Sequence, residues 1–343
     1  MKRALWPLVP VYAAAQALND MAYTRGWRRP EQLAGSVVSI GNLSVGGAGK
    51  TPFTIALAQS LLQRGWPVSV LSRGYGRCSD AVERVDPATP DAVARQGDEP
   101  VQMARAGVPV FVARRRVEAG HMAESALAPK LPLHLLDDGM QHRVLQRDVE
   151  IVLLHRSDFS GALLPAGRLR EPLAALERAD YVVLREEDRH LESRARRWMR
   201  RDARIWTIRR ELELPPLPGA AVVFSAIAHP AEFAADLGRR GVSIASERSW
   251  RDHHAWTDAD LAELCALAKT TGAACFVTTA KDAVRLTTAQ RAVLETTAPL
   301  LIAELRVLLG DAEAMLDALE ARLRRRGERV RESAIGTTDK CSE

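Results

Sequence analysis

Residues 39–65, SIGNLSVGGAGKTPFTIALAQSLLQRG, read as a buried strand, a glycine-rich turn and an amphipathic helix. The turn matches the G-x-x-x-x-G-K-[ST] pattern at Gly49, Lys50 and Thr51, with Ser44 standing where the pattern has its first glycine. Across Ser44, Val45, Gly46, Gly47, Ala48 and Gly49, the three glycines let successive backbone N–H groups close around phosphate oxygens. The helix that follows adds its N-terminal dipole, Lys50 a point charge and Thr51 a hydroxyl for Mg²⁺. Pro52 suits the first helical turn, where its missing N–H has no intrahelical partner to lose. An ordinary strand-to-helix turn explains the glycines but not a lysine at the phosphate end.

Outward from this stretch, short apolar runs alternate with helical patterns. Strands are predicted at 36–43, 67–72, 108–112, 132–136, 149–154, 180–184 and 204–209, and helices at 51–64, 99–106, 114–126 and 187–201. That alternation implies an α/β fold, a P-loop NTPase-type parallel sheet with helices on both faces. A proline-rich break at 211–220 precedes a second alternating set, read as a second, smaller α/β domain with a final helix at about 310–326. The expected organisation is an N-terminal interfacial helix over 1–29, a P-loop kinase domain over 30–212, the smaller domain over 213–326 and a disordered basic tail over 327–343.

The 343 residues carry a formal net charge of +5, which favours an anionic partner. Aromatic residues make up 5% and nowhere interleave with basic ones as a base-stacking surface requires, so nucleic acid is not expected. Cys78, Cys265, Cys275 and Cys341 show neither zinc nor disulfide spacing, and a reducing cytoplasm is the natural home. A monomer is expected. The opening MKRALWPLVPVYAAAQA has a basic start and an apolar stretch, as a signal peptide does, but Pro7 and Pro10 interrupt it. Asn19 and Asp20 end it short of the roughly 20 residues a spanning helix needs. The preferred reading is a helix on an anionic membrane surface, with Trp6 at the interface and Lys2, Arg3, Arg25, Arg28 and Arg29 as anchors; packing on its own domain is the alternative.

Three further stretches carry chemistry. LPLHLLDDGMQH, residues 131–142, is an apolar strand ending in Asp137 and Asp138, where a Walker-B acid meets the metal of a phosphate-loop enzyme. QGDEPVQMARAG, residues 96–107, sets Asp98 and Glu99 ahead of a helix; Asp98 reads either as an N-cap or as the carboxylate a kinase needs beside its acceptor hydroxyl. RDHHAWTDAD, residues 251–260, offers His253 as a partner for Asp98 across a cleft, before a helix that Thr257 and Asp260 can cap as a box. LSRGYGR, residues 71–77, presents Arg73, Tyr75 and Arg77 in a loop suited to an acidic or sugar substrate.

Taken in order, VGGAGKTP, SRGYG, GDEP, DDGMQH, LPAGRLREP, DHH and TTAKDAVRL, spread over residues 1 to about 305, resemble the tetraacyldisaccharide 4'-kinase family of lipid A synthesis. LVPVYAAAQALNDMAYTRG is similar to that family's membrane-associating helix. The resemblance implies transfer of the ATP γ-phosphoryl group, with Mg²⁺, to the 4'-hydroxyl of a lipid A disaccharide 1-phosphate precursor. The implied place is the cytoplasmic face of the bacterial inner membrane, with the enzyme held there peripherally. It gives Lys50 and Thr51 the phosphate and metal roles, sets Asp137 or Asp138 near the metal, and makes Asp98, helped by His253, the group that deprotonates or orients the sugar hydroxyl. Arg170 and Glu171 would shape the site near the phosphates, and Arg73, Tyr75 and Glu99 would face nucleotide or lipid headgroup. Two positions depart from the pattern, Arg168 where a proline is expected and Ala280 where an acidic residue is usual. A P-loop kinase or ligase for a soluble metabolite is the alternative. A guanine-nucleotide switch is disfavoured, because no lysine sits in an N-K-x-D or T-K-x-D motif.

Overall fold

The computed structural model describes the backbone of residues 3–338 apart from Ala48 and Pro90, with side chains over 5–325. Ala48 of the expected phosphate loop and residues 339–343 of the expected tail therefore lie outside the described residues. The strands are β1 Val37–Asn42, β2 Val68–Ser72, β3 Glu83–Arg84, β4 Val110–Val112, β5 Leu133–Asp137 and β6 Val149–Leu153. They continue with β7 Tyr181–Arg185, β8 Arg204–Glu213, β9 Ala221–Ser225, β10 Ile244–Ser249, β11 Cys275–Thr279 and β12 Leu300–Leu309. All belong to one 12-stranded sheet in the order β10-β9-β11-β12-β8-β7-β6-β1-β5-β2-β4-β3. Every pair is parallel except β3 with β4 and β12 with β8, so the α/β reading holds and the sheet is mixed.

β1 is buried along its whole length because both of its faces are covered. Val38 and Ile40 point to the side where Phe53, Leu57 and Leu61 of helix Lys50–Gln63 pack. Val37 points to the other, with Leu71, Leu136 and Ala119 and Ala123 of helix Arg116–Leu127. The period of two along a strand makes this division. β9 repeats it in the second half: Val222 and Phe224 meet Leu261 and Leu264 of helix Asp258–Thr271, while Val223 meets Phe233 and Leu237 of helix Pro230–Arg239. Helix Asp258–Thr271 starts at the capping box of Thr257 and Asp260 that the spacing suggests.

Three expectations change. The boundary at 212/213 falls inside β8, which runs on to Glu213 because its second half pairs with β12 from Glu304↔Glu213 to Leu309↔Ile208. The last helix, Ala312–Thr338, returns to the first half, where Met315, Leu316, Leu319 and Leu323 join the cluster of Val38 and Phe53; it also continues into the segment read as a tail from residue 327. The helix expected over 187–201 is a 3₁₀ stretch, Glu186–Leu191, and a short helix, Glu192–Arg196. Its fully buried apolar residues are Leu191 and Ala195, and beyond the short helix Met199 packs on the same cluster while Arg200 reaches buried Asp180.

Because the strands are parallel, the segments leaving β1, β2 and β5 emerge at one edge, the carboxyl ends where ligands of open α/β sheets bind. Gly41 lets two of these segments touch, since a Cβ there would stand 2.4 Å from Met140 Cβ and 2.8 Å from its backbone nitrogen. Gly41→Ala is expected to cost about 1–3 kcal/mol, seen as a lower urea midpoint at unchanged slope; an unchanged midpoint would mean that the loop after β5 yields freely.

Candidate functional site

The turn after β1 is built from left-handed backbone. Gly46, Gly47 and Gly49 have φ of 75°, 69° and 81°, values that a side chain would strain. Gly49 stands at the cap position, Lys50 is the first residue of the helix, and Thr51 is buried in its first turn. Ser44 bridges to Leu169, and the Val45 N–H donates to the Arg168 carbonyl over 2.8 Å. Arg168, where the sequence reading expected a proline, also donates through Nη2 to the Val45 carbonyl at 2.9 Å, so its side chain straps the phosphate loop. From the second half, the His229 ring packs so closely on Gly47 that a Cβ there would meet it at 2.2 Å.

Lys50 Nζ donates to Asn42 Oδ1 at 2.8 Å and lies 3.3 Å from Asp138 Oδ1. Asp138 takes a second cation, Arg170 Nη1 at 2.7 Å, and adopts φ 49° as the chain turns out of β5. Desolvation raises its carboxyl, but Lys50 and Arg170 outweigh that and bring it down to about 2. Asp137 goes the other way: burial first, then the charges of Glu99 and Asp138, push it up. Its Oδ2 accepts from the Ser72 hydroxyl at 3.2 Å, and its Oδ1 is buried with no hydrogen-bond partner. An orphaned carboxylate oxygen next to a second carboxylate suits a hard cation. Among the described residues no group of three or more His, Cys, Asp and Glu is placed to hold a metal ion.

Glu171 is turned from these carboxylates: it accepts from Gln141 Nε2 at 3.0 Å and pairs with Arg178. Arg73 leaves β2 exposed, on the side of Arg116 and His142. Arg116 Nη1 donates to His142 Nδ1 at 3.2 Å, and burial followed by the charges of Arg116, Arg147 and Arg73 brings that imidazole down to about 4.

The second cluster joins the two halves of the chain. Asp98 is the first residue of helix Asp98–Arg105, not its cap; Gly97 holds the cap position, and Asp98 Oδ1 accepts only from the next backbone N–H, that of Glu99. Its Oδ2 is thereby free to meet His253 Nδ1 at 2.8 Å. His253 sits at φ 61°, uncommon for a residue with a side chain, in the loop before helix Asp258–Thr271. Burial raises Asp98, yet the His253 hydrogen bond and the charges of His253, Lys281 and Arg285 hold it below the usual carboxylate range. The Asp98 hydrogen bond in turn lifts the imidazole above its ordinary value, against burial and Lys281. Tyr75 lies with its ring 5.6 Å from that of His253, and Glu99 reaches Lys281 at 3.5 Å.

Thus Lys50, Asp137, Asp138 and Arg170 form one group, and Asp98, Glu99, Tyr75 and His253 form another. The charge of Glu99 links the two through its effect on Asp137. Asn42, Gln141, Arg116, His229, Lys281 and Arg285 also belong to this edge and have no role in the sequence reading. Lys281 and Arg285 had a signal there as members of TTAKDAVRL, and Gln141 as a member of DDGMQH.

Comparison with known proteins meets this geometry from outside. A model of the LpxK family, described as tetraacyldisaccharide-1-P 4'-kinase, matches residues 1–324. A tetraacyldisaccharide 4'-kinase of Koribacter versatilis is 39% identical over 332 residues, covering 93% of this chain and 99% of that protein. One of Chromobacterium violaceum is 38% identical over 293 residues, covering 82% and 83%. A crystal structure of LpxK from Aquifex aeolicus in complex with ATP superposes with a TM-score of 0.71 at 27% identity, over 93% of this chain and 98% of that one. Sequence and architecture agree over nearly the full length, and this chain belongs to the tetraacyldisaccharide 4'-kinase family, a family of kinases.

Proposed function

We propose that the protein transfers the γ-phosphoryl group of ATP to the 4'-hydroxyl of a tetraacyldisaccharide 1-phosphate, the lipid A precursor, to form lipid IVA. The observation that carries this is the meeting, at one sheet edge, of a glycine loop ending in Lys50, a carboxylate pair with an orphaned oxygen, and a buried Asp98 bonded to His253. Phosphoryl transfer asks mainly for positioning and charge neutralisation, which these groups supply.

In this reading the amides of Gly46–Gly49 and the Lys50 ammonium hold the terminal phosphates, with Arg168 beside the loop. Thr51 and Asp137 would hold Mg²⁺, which neutralises charge on the β- and γ-phosphates when bound. Asp138 keeps Lys50 and Arg170 aimed at the same place. Asp98 accepts the acceptor's hydroxyl proton as the new O–P bond forms and the bond to the bridging oxygen of ADP breaks, while His253 Nδ1–H holds the carboxylate in orientation.

The acceptor's acyl chains would keep it in a bilayer, and helix Val9–Thr24 is suited to meet it there. Its inner side is tied to the body: the Tyr12 hydroxyl donates to the Arg170 carbonyl at 3.0 Å, and Asp20 pairs with Arg143 at 2.6 Å. Its outer side leaves Val11 and Leu18 exposed at 67% and 59%, and the preceding 3₁₀ segment Arg3–Leu8 leaves Trp6 and Leu8 exposed at 47% and 51%. Among the described residues no helix is long and apolar enough to cross a membrane, so the proposed attachment is peripheral, at the cytoplasmic face of the inner membrane.

Radiolabelled ATP, Mg²⁺ and a lipid A disaccharide monophosphate incubated with the purified protein should give label on the lipid; label reaching only water or a soluble sugar phosphate would sink the proposal. Lys50→Ala is expected to lower kcat on the order of 10²–10³-fold, and Asp98→Ala on the order of 10²–10⁴-fold, with circular dichroism unchanged. Near-normal turnover of Asp98→Ala would remove it as the proton acceptor. The double change Val11→Glu and Leu18→Glu should release the protein from anionic vesicles in a flotation assay, and continued flotation would place the membrane contact elsewhere.

A further inference from the structure

Lys281 is a half-buried cation at this edge that the proposed reaction leaves without work. It is carried by the short helix Ala280–Ala283, whose start is fixed: the Thr279 hydroxyl caps the Asp282 N–H, and Asp282, fully buried, accepts the Ala226 N–H at 3.0 Å and pairs with Arg285. From there Lys281 Nζ reaches His253 Nε2 at 3.1 Å, Asp252 Oδ1 at 3.1 Å and Glu99 Oε1 at 3.5 Å.

We propose that Lys281 is a positioning residue that fixes His253 in its Nδ1–H tautomer and leaves Asp98 as the unprotonated base of the pair, an inference that rests on the reading of Asp98 as proton acceptor. An ammonium group donates and cannot accept. A contact of 3.1 Å with Nε2 therefore requires a lone pair on that nitrogen, so the ring proton stands on Nδ1, which faces Asp98 Oδ2 at 2.8 Å. A second ring proton would point an N–H at the ammonium.

The groups facing His253 are Tyr75 from the loop after β2, Asp98 and Glu99 from helix Asp98–Arg105, Asp252 from its own loop, and Lys281 and Arg285 from the segment after β11. Three of these are carboxylates. Glu99 and Asp252 clamp Lys281, and together with Asp98 they raise its affinity for its proton against the cost of burial. Arg285 is committed to the Ala226 and His254 carbonyls and to Asp282, and stands 3.9 Å from Asp98. Without Lys281, much of the positive charge that balances three carboxylates has to come from the imidazole itself. An imidazolium bonded to Asp98 makes it a weaker proton acceptor, so the acid limb of the rate profile moves to higher pH.

The full chain labelled with ¹⁵N-histidine, its His253 signals assigned by loss in His253→Gln, reports the tautomer directly. On the alkaline side of the raised His253 titration the expected spectrum has Nδ1 protonated and Nε2 bare. Lys281→Arg should preserve it, whereas Lys281→Met should show a doubly protonated ring at that pH, an acid limb of kcat/KM moved upward and kcat lower on the order of tenfold. A wild-type ring carrying its proton on Nε2, or on both nitrogens, overturns the proposal without need of a variant. So does a Lys281→Met protein whose His253 titration and pH profile stay in place while its rate is merely scaled. Normal turnover by Asp98→Asn would instead remove the base reading, and the wild-type nitrogen spectrum would still decide the role of Lys281.

Discussion

The antiparallel pairing of β8 with β12 is the constraint on which the rest of this molecule depends. Without it the chain would be two parallel sheets joined by a proline-rich connection, free to set their edges at any angle. With it, β11 and β9 continue the same sheet, and the loops at their ends lean toward the phosphate loop. His229 then packs on Gly47, and His253 meets Asp98 across 155 residues of sequence. The last helix adds to the weld: Arg322 pairs with buried Asp180 and Trp66 donates to Glu320, which tie it to the half that holds Lys50.

The electrostatics of the edge follow from the same enclosure. Carboxylates crowd here, and burial makes each costly unless a cation stands opposite. Asp138 has two, Lys50 and Arg170, and stays ionised. Asp137, one residue earlier in the strand, points into the interior with a hydroxyl for company, and neighbouring negative charge drives its affinity for a proton up. Adjacent residues of one type thus acquire opposite characters because Asp137 ends β5 while Asp138, at φ 49°, turns out of the strand toward Lys50 and Arg170. The Asp98 carboxylate is a third case, held ionised by a histidine and by cations from the far half of the chain.

Much of this was legible in the residues. The strand–loop–helix of 39–65, the acidic pair ending an apolar run and the capping box of Thr257 and Asp260 are signals carried by neighbours within a turn or two, and each element lies where its pattern puts it. Other readings failed where local pattern was thin. Residues 187–201 look helical by composition, yet only Leu191 and Ala195 are fully buried and the α-helix is short. Asp98 has the outward form of a helix cap, and one residue's difference in where the helix begins turns its carboxylate toward His253. Arg168 and Arg116 resemble any surface arginine in the sequence; one straps the phosphate loop and the other lies buried against His142.

By itself, the sequence determined the phosphate loop, the alternation of strand and helix, the family and the candidate acids and bases, since each depends on spacing along the chain. Only the tertiary structure decided that β8 crosses the expected boundary, that the last helix returns to the first core, that Asp138 rather than Asp137 takes the ion pairs with Lys50 and Arg170, and that Lys281 stands against His253. The reason is that these outcomes depend on strand order and on which charges face each other across the sheet edge, and contacts between residues many turns apart in the chain leave no periodic trace in either partner.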